Sequence, residues 1–172
     1  MGMSLGLIPL EEDPNLPAIR EILAAHNLIP SPGTALLGIT GGGFPTVGGD
    51  TLAFEASWLG EGARSFYGQV HGAAANRAQC ALFFDLASRG NLLLTPDAGP
   101  PHLVVCGRTH EPADVHDESA PPWLEIICFV DSAAQLHQCL HGDWRPFRST
   151  HLDSGTIWGP RENWPTEDNP LA

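Results

Sequence analysis

AAANRAQCALFFDLASRG, residues 73–90, is the stretch on which the fold turns. At 100° per residue, Cys80, Leu82, Phe83, Phe84, Leu86 and Ala87 fall on one broad side, with Arg77, Asp85, Ser88 and Arg89 on the other. This pattern predicts an amphipathic helix. Asp85 and Arg89 stand one turn apart, in the order that favours an ion pair. Gly90 falls where a left-handed C-terminal cap is expected. An apolar side this wide, carrying two phenylalanines, needs a sheet to lie on, and the strand-like run NLLLTP, residues 91–96, follows at once.

The segments on either side can supply that sheet. In TLAFEASWL, residues 51–59, Leu52, Phe54, Ala56 and Trp58 alternate with Ala53, Glu55 and Ser57. GEGA then turns the chain as a four-residue loop with Glu61 at its exposed tip, and RSFYGQVHG, residues 64–72, returns it. Phe66 and Val70 join the apolar side, leaving Tyr67, Gln69 and His71 outside. Beyond the helix, Leu92–Thr95 predicts a strand and HLVVCGR, residues 102–108, a second one able to pair with it. THEPADVHDESAPP, residues 109–122, is an acidic loop of a length usually functional or disordered. WLEIICFV, residues 123–130, is nearly all apolar and reads as an interior strand covered on both faces. Asp131 and Ser132 open a last helix, where Ser132 and Gln135 match a capping box, Leu136 and Leu140 give a seam, and Gly142 ends it.

Residues 1–12 read as a lead-in strand or arm. A first helix follows, capped by Asp13 or Asn15, with Leu16, Ile19, Ile22, Leu23 and His26 at helical spacing and an end near Asn27. Residues 29–50 hold seven glycines and three prolines and cannot be one regular element, although Ala35–Thr40 suits a short strand. The triplet Gly41-Gly42-Gly43 lacks the spacing and lysine of a phosphate loop and reads as a mobile connection. Residues 143–172 form a partly irregular segment whose Trp144, Phe147, Ile157 and Trp158 are expected to pack on the body. The expected class is α+β: an antiparallel or mixed sheet of about five to six strands with three helices packed on it, in one domain spanning residues 1–172.

Twenty acids face eight arginines, and lysine is absent, for a net charge of −12. Such a chain repels phosphates, which argues against nucleic acid and suits solubility or a basic partner. The N-terminus carries no secretion signal and no run is long enough to span a membrane, so cytoplasmic residence is expected. Cys80, Cys106, Cys128 and Cys139 are scattered through apolar segments and read as buried thiols.

No catalytic motif stands out. His110, Asp114, His116, Asp117 and Glu118 are metal-ligand types, but their spacing matches no standard site, and a solvated polar loop is the simpler reading. His137 and His141 share a helix face, yet Gln138 stands where a zinc protease needs its glutamate. Cys106 and Cys128 lack polar neighbours that would activate a thiol. Glu11 and Glu12 lie in the lead-in, with no pocket to raise a carboxylate pKa.

The size, the acidic balance and the run FFDLASRGNLLLTPDAGPPHLVVCG, residues 83–107, followed by an acidic loop, a tryptophan strand and a closing helix, resemble the small immunity proteins of bacterial toxin systems, including those paired with type VI secretion effectors. The resemblance implies an inhibitor that binds one cognate antibacterial toxin in the cytoplasm and occludes its active site. The chain's own pattern supplies the expected contacts to a basic toxin: Glu61 at the hairpin tip, and Asp114, His116, Asp117 and Glu118 in the loop. No metal or cofactor is required. A small metal- or histidine-dependent enzyme and a small-ligand-binding domain are the alternatives.

Overall fold

In MSLGLI, Leu5 and Leu7 alternate with Ser4, Gly6 and Ile8, so one side of this short run is apolar. The computed structural model describes residues 2–9, 14–30, 34–39, 43–57, 59, 65–115 and 126–149, and in it this run is strand β1 (Met3–Ile8). Of the lead-in strand or arm expected here, it is the strand that forms, and β1 lies inside a six-stranded sheet rather than leading into it. The helix α1 (Leu16–Ala25) follows, with Asn15 as its N-cap. Two small antiparallel pairs come next: β2 (Leu28–Pro30) pairs with β3 (Leu37–Ile39), and β4 (Thr46–Val47) with β5 (Asp50–Thr51). The main sheet resumes with β6 (Ala53–Ser57) and β7 (Tyr67–Ala73), then the helix α2 (Arg77–Gly90), β8 (Leu93–Pro96) and β9 (Leu103–Cys106). A single helical turn, α3 (Pro112–Val115), precedes β10 (Ile127–Val130) and the last helix, α4 (Ala133–Leu140).

The sheet order is β10-β9-β8-β1-β7-β6. β1 pairs antiparallel with both β7 and β8, which makes those two strands parallel to each other with β1 slotted between them. The unit β7–α2–β8 is therefore a split βαβ arrangement closed by the first strand of the chain. Only β9 and β10 pair in parallel, so the α+β class with a mixed sheet holds. A parallel neighbour cannot be reached by a tight turn and needs a crossover of about a dozen residues or more. The long acidic segment is that crossover.

Residues in register share a face. Leu7, Leu94, Val104 and Cys128 lie in one such row, and all are buried on the side where α1, α2 and α4 pack. Leu5, Phe54, Val70, Phe83, Leu86 and Leu136 join the same core. The opposite face has a smaller cluster of Leu93, Val105, Val115 and Ile127, with Ile8, Leu103 and Phe129 against it. Val115 brings α3 onto that second face. Thus β10 is covered on both faces as its composition predicts, but it is an edge strand, not an interior one. Its open edge is partly closed by an antiparallel bridge between Cys128 and Arg148 and by the Ser149 N–H donating to Ile127 O at 2.8 Å. At the other edge, Ala56 N–H donates to Ala35 O at 2.7 Å. Both closures leave less unpaired backbone to recruit a further strand.

Local chemistry sets the boundaries. Ala73 ends β7, and Asn76 caps α2, its Oδ1 accepting the Gln79 N–H at 2.9 Å. The Asn76 amide also donates to Asp50 Oδ2 at 2.7 Å and to Gly48 O at 3.3 Å, tying the β4–β5 hairpin to the helix. Gly48, at φ +67°, leaves room for this side chain, which a Cβ would strike. The left-handed cap of α2 is Asn91, at φ 57°, and Gly90 stays helical, since a Cβ there would press on Ile19 at 2.8 Å. Arg89 pairs with Glu21 of α1 at 3.1 Å rather than with Asp85. The β6–β7 connection runs from residue 58 to 66, because Ser57 faces Tyr67, and is longer than a four-residue loop. At α4, Ser132 Oγ accepts the Gln135 N–H at 3.2 Å, but Gln135 Oε1 reaches back to the Asp131 N–H, one residue earlier than a capping box requires. Trp144 packs at 2% exposure and Phe147 is half-buried; Trp58, Ile157 and Trp158 lie outside the described residues.

If β1 is the internal strand, truncating its inward side chains is costly. Leu7→Ala should destabilise the protein by about 2–5 kcal/mol. Ile29→Ala, at a side chain 43% exposed, should stay within about 0.5 kcal/mol of wild type. Urea unfolding followed by tryptophan fluorescence measures both.

Candidate partner-binding face

The second face of the sheet is divided. Over β8, β9 and β10 it is apolar and partly roofed by α3. Over β7, β6 and the part of β1 before Ile8 it carries small and polar residues. One row runs Glu55, Gln69, Gly6, Thr95 across four strands, and Ser57 and Tyr67 flank it on one side, Ala53 and His71 on the other. Tyr67 is 44% exposed, and the His71 and Glu55 side chains 41% and 47%. These values describe an open surface, not a second core.

The residues of this surface hold one another lightly. Tyr67 OH donates to Gln69 Oε1 at 3.3 Å, Ser57 Oγ donates to Tyr67 O at 3.2 Å, and His71 Nε2 lies 3.7 Å from Glu55 Oε1. An exposed pair of this kind contributes little to stability, so these groups can exchange one another for a ligand's groups at small cost. Gly6 keeps the middle of the row flat: a Cβ there would collide with Thr95 Oγ1.

The sequence-predicted contacts meet this face only in part. Asp114 is exposed on α3, on the same side of the sheet, and its Oδ2 accepts the Glu111 N–H at 2.9 Å, which steadies the helical turn. Glu61, His116, Asp117 and Glu118 lie outside the described residues. His110 is not a solvated loop residue. It is buried, at 6% exposure, with Nδ1 2.9 Å from Thr109 Oγ1. Among the described residues, no three His, Cys, Asp or Glu side chains converge as a metal site. The outward positions Tyr67, Gln69 and His71 were legible from alternation, yet nothing in the sequence told that no described element would cover their face.

The four cysteines are free and buried, as expected, and they also gather where α2, β9, β10 and α4 meet. Burial pushes the Cys80 thiol up to about 12, and its Sγ donates to Ala75 O at 3.1 Å. Burial, with the neighbouring Cys139 and Cys80, also raises Cys106. Cys128 is raised by its hydrogen bond to Cys139 and by burial. Protonated thiols are poor nucleophiles, so Cys80, Cys106 and Cys128 serve the core. Elsewhere, a shallow open depression lies between α1 and the end of α2, lined by Asn15, Pro17, Ala18, Glu21 and Arg89. It is neither enclosed nor apolar, as small-molecule sites usually are. No helix among the described residues is long and apolar enough to cross a membrane.

His102 fastens the crossover to the sheet. Its backbone N–H donates to Ile126 O at 2.9 Å, and the Ile126 N–H donates back to the His102 ring Nδ1 at 3.0 Å. Comparison with protein-family models, with curated proteins and with solved structures finds no match.

Burial lowers the His102 pKa below its ordinary 6.5, and a ring that accepts at Nδ1 must be unprotonated there. The folded state therefore takes up a proton less readily than the unfolded chain. The resulting stabilisation is present above the unfolded pKa and is lost as pH falls through the folded one. Lowering the pH from about 7 to about 5 should reduce the wild-type urea midpoint more than that of His102→Asn, whose side-chain oxygen can still accept. Parallel midpoints would deny His102 this role.

Proposed function

We propose that this chain is a binding protein of the immunity class, which inhibits a cognate basic toxin in the cytoplasm by covering its active site. The observation that carries the reading is the polar half of the outer sheet face, open among the described residues, with α3 of the acidic segment on the same side of the sheet. A sheet surface with an exposed tyrosine, and with the Asp114 carboxylate exposed on the same side of the sheet, suits a protein partner better than a small ligand. Tyrosine supplies contact area at low entropic cost. The net charge of −12 steers a basic partner toward the chain and speeds its association. The resemblance to immunity proteins supplies the kind of partner. Glu61, Asp114, Asp117 and Glu118, with His116 among them, remain the proposed rim, with Tyr67 and Gln69 as the centre of the contact. No catalytic role is assigned.

Capture from the native host at moderate salt, read by mass spectrometry, tests this directly. Wild type should recover one stoichiometric basic protein that poisons cells when expressed alone. Reversing Asp114, Asp117 and Glu118 to lysine should slow association, and Tyr67→Ala should speed dissociation by roughly tenfold or more, the effect of losing a central aromatic contact. A wild-type bait that recovers no partner, or variants that bind and protect as wild type does, would refute the assignment.

A further inference from the structure

We propose that His137 and His141, at the C-terminal end of α4, form a two-nitrogen site for a divalent transition-metal ion of the kind that favours imidazole, such as zinc. The site is independent of the partner-binding face. Residues four apart on a helix face the same way, and here the two rings lie with centroids 4.4 Å apart and planes tilted by 41°. Both are accessible, His141 being exposed and His137 half-buried.

The arrangement goes beyond a chance pair because one ring is already oriented. His141 Nε2 lies 3.1 Å from Ala75 O. A carbonyl only accepts, so Nε2 carries the proton and Nδ1 is left with the lone pair. A metal-binding imidazole usually has its second nitrogen held by just such a backbone carbonyl, which fixes both tautomer and ring angle. The carbonyl is itself well anchored. Ala75 is fully buried, sits at φ +50° directly before the cap of α2, and also accepts the Cys80 thiol at 3.1 Å.

Two protein nitrogens leave the other coordination positions to water or an added donor, so the site is open rather than closed. Gln138 follows His137 where a zinc protease has its general base, so the chemistry proposed is binding alone.

The test is a calorimetric titration of the full chain, purified without a polyhistidine tag, with zinc alone. Wild type should take up one ion per chain. His137→Gln and His141→Gln should each weaken binding by about tenfold or more, the scale seen when a metal site loses even a supporting group. His71→Gln, on the far side of the sheet, should bind as wild type. His137→Gln leaves the Ala75 bond intact, and an unchanged melting temperature in the absence of metal establishes that its loss of binding is not a loss of fold. Absence of saturable binding in wild type, or binding that survives both substitutions, would overturn the proposal.

Discussion

The insertion of β1 between β7 and β8 is the constraint on which the rest depends. Leu5 and Leu7 are fully buried beneath the helical layer, and their strand supplies backbone partners to both neighbours at once. Without β1, β7 and β8 would face each other across an empty strand position. The hairpin β6–β7 would then be separated from the β8–β10 half, and α2 would lose the floor under Phe83 and Leu86. A strand of six residues thus joins what would otherwise be two small sheets, one of them a two-stranded hairpin of the kind that is marginal alone.

The same insertion divides the outer face. On one side of β1 the chain must cross over to bring β10 parallel to β9, and the crossover lays Val115 on the apolar residues of that half. On the other side, β7 and β6 form a hairpin, so no segment is forced back across them. Among the described residues, the uncovered polar surface is therefore a consequence of topology. It exists because antiparallel neighbours can be joined at the end of the sheet, whereas parallel ones cannot. Its side chains match the exposure, with serine, glutamate, tyrosine, glutamine and histidine where the other half has leucine, valine and isoleucine.

Much of this was legible in the chain. The wide apolar side of residues 77–90 requires a sheet, and the alternation in residues 52–57 and 66–70 names its inward side correctly. What could not be read was order within the sheet. β1 reads as a lead-in strand or arm because a short alternating run says nothing about which strands it will separate. β10 looks interior because full burial of both faces and a central position leave the same apolar signature. The acidic segment of residues 109–122 looks like a free loop, but the need to reach a parallel neighbour accounts for its length, and its His110 and Val115 are buried. The site was less legible than the fold. Asp114 is exposed on α3, whereas Tyr67 gains significance only from the openness of the face around it. The pairing of His141 with Ala75 O joins residues 66 positions apart, a contact no local spacing announces.

Native-state amide hydrogen exchange tests most directly the claim that β1 unites the two halves. The Leu5, Gly6 and Leu7 amides should exchange only through global unfolding, as slowly as the slowest amides of α2 and β8. Exchange of β1 well ahead of β7 and β8, with those strands still protected, would contradict the account.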